Sequence, residues 1–392
     1  MHFDLRPEQQ AFRETVRAFA TREIAPLAAQ MDATDAWPDG LWERLGAQGL
    51  LGIGIPEAYG GSGGDHLDFV LAGEELAYRS AAVALSLGAH ANLCAYNLYR
   101  NGDESQRQAH LPDLCAGRRV GALCITEPDT GSDAVGMQAR AVRDGDAYVL
   151  TGTKTWITNG PVADLYLVYA KTDPAAGARG ISAFLVEKGA PGLSVSKPFT
   201  KMGCRGSQTG QVYFEGVRVP ARARLGPEGG GIHVLMSGLD VERAVFAAIP
   251  VGQHRRALDL ALDYAQARSQ FGRPIADFQL IQARLADMDT TLEAARLLVW
   301  RAAVVLSQAA RGGKGSPGHR LAAQALLFAA EACEAAADSA VQIHGGNGFS
   351  EEFEVNRIYR DARLGTLGAG TSEIRRLIIA RELLARPSAT AG

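Results

Sequence analysis

The chain has 392 residues, of which 47% are hydrophobic and 21% charged, enough for two or three globular domains with substantial cores. With 40 Lys and Arg against 43 Asp and Glu it carries a formal net charge of -3, and no basic block exists to displace phosphate counterions, which argues against a dedicated nucleic-acid binder. Cys94, Cys115, Cys124, Cys204 and Cys333 are odd in number and scattered, without C-x-x-C or metal-ligand spacing, so a reducing compartment is expected rather than a disulfide framework.

The first residues, Met1-His2-Phe3-Asp4-Leu5, run directly into an acidic amphipathic segment with no secretory or transit signature. A cytoplasmic bacterial protein is expected, with a trimmed organellar form left open. From Leu5 to about Arg119 the pattern is helical: Phe12, Val16, Phe19 and Leu27 fall near one face, and 65–78 and 91–101 continue in kind. This predicts an all-helical domain over 1–119. Between Val120 and about Leu225 the period shortens to β-rich runs at 165–170, 181–186 and 212–219, punctuated by Gly, Pro and Asn159-Gly160. A small sheet or barrel is predicted over 120–228. Helical patterns return at 249–268, 277–310, 319–344 and 371–384, with a Gly/Lys/Ser/Pro loop at 312–318, and predict a helical bundle over 229–392. The most apolar stretch, 297–306, is short and broken by Arg301, so no membrane insertion is expected. The fold class expected is α+β, mainly α. Its order of helices, sheet, helices differs from a βαβ rhythm, and no G-x-G-x-x-G follows a strand; the Gly-rich runs at 60–64 and 229–231 read as turns.

Several segments carry candidate chemistry. Leu123-Cys124-Ile125-Thr126-Glu127-Pro128-Asp129-Thr130-Gly131-Ser132-Asp133 leaves a β-run for a loop rich in hydroxyls and backbone N–H groups, able to donate to a ring carbonyl and a pyrophosphate or simply to cap a local turn. A metal site at Glu127, Asp129 and Asp133 fits no common cation loop, and none is expected. In Leu239-Asp240-Val241-Glu242-Arg243 the charged residues could form a surface ion pair on a solvated helix or supply a general base.

The chain also contains Lys154-Thr155-Trp156-Ile157-Thr158-Asn159-Gly160, Arg268-Ser269-Gln270-Phe271-Gly272, Gln342-Ile343-His344-Gly345-Gly346 and Leu367-Gly368-Ala369-Gly370-Thr371-Ser372-Glu373-Ile374-Arg375-Arg376. In order and spacing these motifs resemble the acyl-CoA dehydrogenases from end to end: N-terminal helices, a middle β-domain and a C-terminal four-helix bundle. Where most of that family places its catalytic glutamate this chain has Ala369, and Glu242 stands where a minority branch, notably the isovaleryl-CoA dehydrogenases, places it.

The resemblance implies noncovalent FAD. Leu123, Cys124, Ile125 and Thr126, with Trp156, Ile157 and Thr158, would hold the isoalloxazine ring, and Gly131 and Ser132 belong to the same site. Arg268, Phe271 and Gln279, together with Gln342, Ile343, His344, Gly345 and Gly346, would reach the pyrophosphate and adenosine of an FAD bound in the neighbouring subunit. Thr371, Ser372 and Glu373 would complete that grip, and Gly370-Thr371-Ser372 reads independently as the N-cap of the last helix, whose free N–H groups favour an anion. The family is usually tetrameric and passes electrons to an electron-transferring flavoprotein. Glu242 is then the expected base in α,β-dehydrogenation of an acyl thioester, with the Ala369 N–H at the thioester carbonyl. Ser132, Asp240 and Arg243 would contact the coenzyme A side of the substrate. Gly368, in place of a bulky aromatic, leaves room with Ala369 and Gly370 for a short branched chain such as isovaleryl-CoA. His233 stands where isovaleryl-CoA dehydrogenases tend to have tyrosine on the substrate path, and reads either as a satisfied structural histidine or as a change in specificity. Three alternatives remain: a dehydrogenase of another acyl-CoA or of a carrier-protein thioester, a non-catalytic flavoprotein of the same fold, and a flavin monooxygenase.

Overall fold

A computed structural model describes residues 4–308 and 316–385. The last two residues of the helix expected over 277–310, and most of the loop expected at 312–318, lie outside the described residues.

The N-terminal part is helical because its starts are capped and its apolar residues repeat at helical spacing. Its helices are α1 (Pro7–Phe19), α2 (Ala25–Thr34), α3 (Leu41–Ala47), α4 (His66–Ala77), α5 (Ala81–Gly88), α6 (Asn97–Asn101) and α7 (Glu104–Cys115). Pro7 occupies the first turn of α1, Asp65 accepts from the Leu67 and Asp68 N–H groups at the head of α4, and Asp103 and Gln106 cap α7 reciprocally. The segment expected as one helix over 91–101 is π-helical over Ala89–Tyr96 before it tightens into α6. A π-helix shifts side chains around the axis relative to an α-helix and often marks a functional site.

Helix α4 is buried almost throughout, including Glu74 and Glu75. Those two carboxylates are taken up by arginines from both ends of the chain: Arg13 at 2.7 Å and Arg255 at 2.7 Å from Glu75, and Arg296 at 3.1 Å from Glu74. Burial works to raise the Glu75 pKa, but hydrogen bonds from Arg255, Arg17 and Arg13 outweigh it and hold the group at about 2. The network ties α1 and α4, at the start of the chain, to the C-terminal part.

The middle part forms, among the described residues, an eight-stranded sheet. Its strands are β1 (Gly121–Cys124), β2 (Arg140–Asp144), β3 (Ala147–Thr158), β4 (Leu165–Lys171), β5 (Ile181–Glu187), β6 (Leu193–Val195), β7 (Thr209–Pro220) and β8 (Arg224–Leu225). The order is β6-β7-β3-β2-β4-β5-β8, with β1 paired parallel to β4. Strands β4 and β5 read as unbroken apolar runs because both faces are covered. Leu165, Leu167 and Leu185 pack on a cluster that also contains Leu98, Leu114 and Leu235 from the helices, while Tyr166 and Phe184 face the sheet's own core with Val212 and Phe214. The β2–β3 hairpin was not among the sequence expectations. Its exposed positions are mostly polar, Val142 and Trp156 excepted, and only one residue of β2 is buried.

The C-terminal part contains α8 (Gly231–Phe246), α9 (Ala248–Ala267), α10 (Gln279–Gln308), α11 (Pro317–His344), α12 (Glu354–Ala362) and α13 (Ser372–Leu384). Ala257, Ala261 and Ala265 of α9 meet Ala336, Ala337 and Ala340 of α11 in one buried cluster, so these helices pack through small side chains. Between α9 and α10 a short hairpin, β9 (Ser269–Gln270) with β10 (Arg273–Pro274), turns through Phe271 and Gly272 at φ +53° and +79°. No described helix is long and apolar enough to cross a membrane. The architecture is mainly α with a mixed sheet, as expected.

Candidate active site

Glu242 lies three-quarters of the way along α8 and is 7% exposed. Its Oε2 accepts a 2.7 Å hydrogen bond from Nδ2 of Asn92, which sits on the π-helical segment and is itself wholly buried. Desolvation pushes the Glu242 pKa up to about 7, against the lowering effects of Asn92 and the nearby Arg243 guanidinium. A carboxylate titrating there is half ionised at neutral pH and strongly basic for its type, as proton abstraction requires. Beside it a narrow apolar cavity is lined by Phe69, Leu85, Leu87, Val245, Phe246 and Ile249.

The surface ion-pair reading of 240–243 is corrected by burial. Asp240 is 0% exposed, and its Oδ1 accepts from Arg243 Nη1 at 2.9 Å and lies 2.7 Å from His319 Nδ1 on α11. Asp240 and Arg243 therefore form a buried cluster with His319, which fixes α8 against α11. A Cβ on Gly368 would come within 3.0 Å of Phe246 Cζ, and Phe246 stands one helical turn beyond Glu242, so the turn at 368–370 lies against the side of α8 that carries the carboxylate. Ala369 and Gly370 take left-handed conformations at φ +53° and +89°, and among the described residues the Ala369 N–H meets no acceptor.

The end of β1 and the bulged end of β3 are drawn together. Thr155 N–H donates to Thr126 O at 2.9 Å, and Lys154 Nζ donates to Ile125 O at 3.0 Å and to Glu127 at 2.8 Å. Glu127 also accepts from the Gln138 and Ala139 N–H groups; burial alone would raise its pKa, and these donors with Lys154 lower it. That carboxylate is structural, and among the described residues no His, Cys, Asp or Glu cluster could hold a metal. Leu123, Cys124 and Ile157 are buried behind this seam, while Trp156, at φ +57°, projects 63% exposed against Phe199. Ile125, Thr126 and Thr158 are half-buried along it, and Gly131 and Ser132 are exposed on the following loop, where Asp133 caps Gly136.

A second group forms a cleft of about 570 Å³ that includes Arg268, Phe271, Ile343, His344, Gly345 and Gly346. The His344 ring donates from Nδ1 to Ala340 O at 2.8 Å and stacks on Tyr264, with centroids 4.2 Å apart. Gly345, at φ +59°, and Gly346 present open space where a Cβ would stand, so a flat or phosphorylated group can approach the backbone there. Gln279 and Gln342 are exposed and outside its lining. Thr371 caps α13 through Ile374 N–H, the Ser372 hydroxyl is buried without a partner, and Glu373 is exposed in the first turn. The open glycines and Arg268 of the cleft suit a nucleotide with a pyrophosphate, and the α13 N-terminus with its orphaned Ser372 hydroxyl offers a separate set of anion donors. His233 is exposed near the start of α8, and its ring makes no hydrogen bond among the described residues, so the satisfied structural histidine is not what the structure contains.

Sequence reasoning missed Asn92, His319 and Arg375. Asn92 carried a weak signal, a buried-type amide within the apolar run 81–98, and the other two carried none.

Three family models match along the chain: acyl-CoA dehydrogenase N-terminal domain over 6–118, middle domain over 122–217 and C-terminal domain over 229–384. Mitochondrial isovaleryl-CoA dehydrogenase of Oryza sativa is 46% identical over 377 residues, covering 96% of this chain and 91% of the relative. Mitochondrial 2-methylacyl-CoA dehydrogenase of Solanum tuberosum is also 46% identical over 377 residues, covering 96% and 90%. Among solved structures, butyryl-CoA dehydrogenase from Megasphaera elsdenii superposes with a TM-score of 0.94 at 39% identity, covering 98% of this chain and 100% of that one.

Proposed function

We infer the reaction from what the chain is: it belongs to the acyl-CoA dehydrogenase family, whose members are FAD enzymes acting on a CH–CH bond of an acyl-CoA. We propose that it dehydrogenates a short branched-chain acyl-CoA across Cα and Cβ, taking isovaleryl-CoA to 3-methylcrotonyl-CoA in leucine breakdown. The observation that carries this reading is the buried Glu242 carboxylate, raised to about 7, in a chain that has Ala369 where most relatives have their base.

Glu242 takes the α-proton. Asn92 occupies Oε2, so Oε1 is the oxygen left to receive it. An aliphatic thioester α-proton is weakly acidic, and the Ala369 N–H, unengaged among the described residues, stands to donate to the thioester oxygen as negative charge develops on it. The chemistry FAD supplies when bound is acceptance of the β-hydrogen with its electron pair. Residues 123–126, 131–132 and 156–158 would hold its ring, and Arg268, Phe271, Gln279, 342–346 and 371–373 its pyrophosphate and adenosine across a subunit boundary. Asp240 and Arg243 then act from within the helix pair, setting the field at Glu242, and Ser132 and His233 line the approach for coenzyme A.

The acyl chain is kept short by Phe69 and Phe246, and Gly368 leaves width for a branch. Phe271 at 92%, Leu280 at 82% and Phe349 at 87% exposure support an oligomer, proposed to be a tetramer, in which a neighbouring subunit covers them. The electron acceptor in this reading is an electron-transferring flavoprotein. Five buried free thiols fit a reducing compartment, here the cytoplasm. The same reading divides the chain at 119/120 and 228/229.

Another branched acyl-CoA is the second reading, favoured by the equal identity of the 2-methylacyl-CoA relative. Anaerobic addition of isovaleryl-CoA, 2-methylbutyryl-CoA, n-butyryl-CoA and palmitoyl-CoA to the yellow holoenzyme separates these. Rapid loss of the flavin's visible absorbance with isovaleryl-CoA is expected; loss only with another thioester moves the substrate, and loss with none overturns the short branched-chain acyl-CoA reading in favour of a carrier-protein thioester or a non-catalytic flavoprotein.

A further inference from the structure

We propose that Arg375 is a positioning residue that polarises the peptide group between Gly368 and Ala369, and so strengthens the N–H offered to the thioester oxygen. The inference rests on the reaction proposed above and adds a residue to it.

Arg375 lies in the first turn of α13 and is 0% exposed. Its Nη2 donates to the carbonyl oxygen of Gly368. That oxygen and the Ala369 N–H are the two ends of one trans peptide unit. A cation bound at the oxygen end draws electron density through the conjugated C–N bond, leaving the far hydrogen more positive and a better donor, as hydrogen bonds in series reinforce one another. The turn is contacted from both sides: Arg375 donates to the carbonyl, and the Phe246 ring packs so near Gly368 that a Cβ there would come within 3.0 Å of it. Ala369 takes a left-handed conformation, rarely adopted by a residue with a Cβ, and among the described residues its N–H makes no hydrogen bond.

A purely structural clamp would not need a charge here. Among the described residues, Nε and Nη1 of Arg375 are buried without partners, and the charge of Arg243 opposes that of Arg375 from α8. Burial and Arg243 lower the Arg375 pKa to about 10, opposed by Glu331 and Glu373, so the guanidinium remains charged at neutral pH. A buried cation retained with two unsatisfied donors beside a second arginine is destabilising for the fold. Its placement makes sense where negative charge appears only during reaction, on the oxygen that Ala369 N–H meets.

The test compares FAD-loaded wild type with Arg375→Gln and Arg375→Lys. The readouts are the infrared carbonyl stretch of bound 3-methylcrotonyl-CoA, labelled with carbon-13 at the thioester carbonyl, and the steady-state constants with isovaleryl-CoA. If another thioester proves to be the substrate, its own enoyl product is used. In wild type the stretch is expected below its solution value. Arg375→Gln is expected to return it most of the way and to lower kcat roughly 10-fold with KM changed less than about 3-fold, an order below loss of a direct oxyanion donor. Arg375→Lys, which keeps the charge, is expected to retain most of the shift; it also decides the matter if the glutamine variant does not fold. A wild-type frequency in Arg375→Gln, with or without a fall in kcat, would overturn the proposal, as would a lysine variant that folds and shows no shift. Failure of wild type itself to shift the carbonyl of any thioester product would count against the proposed function rather than against Arg375.

Discussion

Asn92 donates from Nδ2 to Oε2 of Glu242 at 2.7 Å, across 150 positions of sequence and with both side chains buried. The bond favours the ionised carboxylate and opposes the desolvation that raises its pKa. Asn92→Leu, which keeps the volume and removes the donor, is expected to move the acidic limb of the kcat/KM profile upward by about one pH unit, with activity recovering toward pH 9. An unmoved limb would mean that Asn92 does not tune the base.

Glu242 also makes stability depend on pH in the direction opposite to a salt-bridged carboxylate. Its folded pKa, about 7, lies above the ordinary glutamate value of 4.5, so the folded state binds the extra proton between those two values. Its contribution is therefore fully present below pH 4.5 and lost as pH rises through 7, where a bare buried charge remains. Glu242→Gln is expected to stabilise the protein at pH 8 by about 1–3 kcal/mol, with the difference from wild type shrinking toward pH 5. Denaturant melts at the two pH values check this, and equal melts at pH 8 would refute the burial argument.

Ala369 sits at φ +53° and Gly370 follows at +89°. Ala369→Gly removes the strain of a Cβ in the left-handed region, with a gain of about 1 kcal/mol that the looser unfolded chain partly offsets. The same change frees the turn that aims the N–H, so kcat is expected to fall several-fold while thermal stability holds or rises. Thermal melts and steady-state rates on one preparation separate the two effects; a loss of stability, or an unchanged kcat, would contradict the strained-donor account.

The parts of the fold legible in the sequence were the helices with apolar residues on one face and the strands whose burial is uniform. The strands over 165–171 and 181–187 stand out because helices cover one face and the sheet's own core the other. The β2–β3 hairpin was hidden because it alternates with exposed Arg, Asp and Thr, a weak pattern beside long helical periods. The π-helical turn over Ala89–Tyr96 leaves the same apolar content as an α-helix, so 91–101 read as ordinary helix. Glu242 was visible through an absence, the alanine at 369. Its partner Asn92, the His319 that meets Asp240 from 79 positions away, and Arg375 on Gly368 act through tertiary contacts that leave no local spacing to read.

The central claim is that Glu242 removes the proton. Wild type and Glu242→Gln, each purified with FAD bound, are mixed anaerobically with isovaleryl-CoA and the visible flavin absorbance is followed in a stopped-flow instrument. The wild type is expected to bleach rapidly, and Glu242→Gln is expected to bind the thioester, stay yellow and lose roughly 10³-fold or more in rate. Bleaching of Glu242→Gln at the wild-type rate would place the base elsewhere.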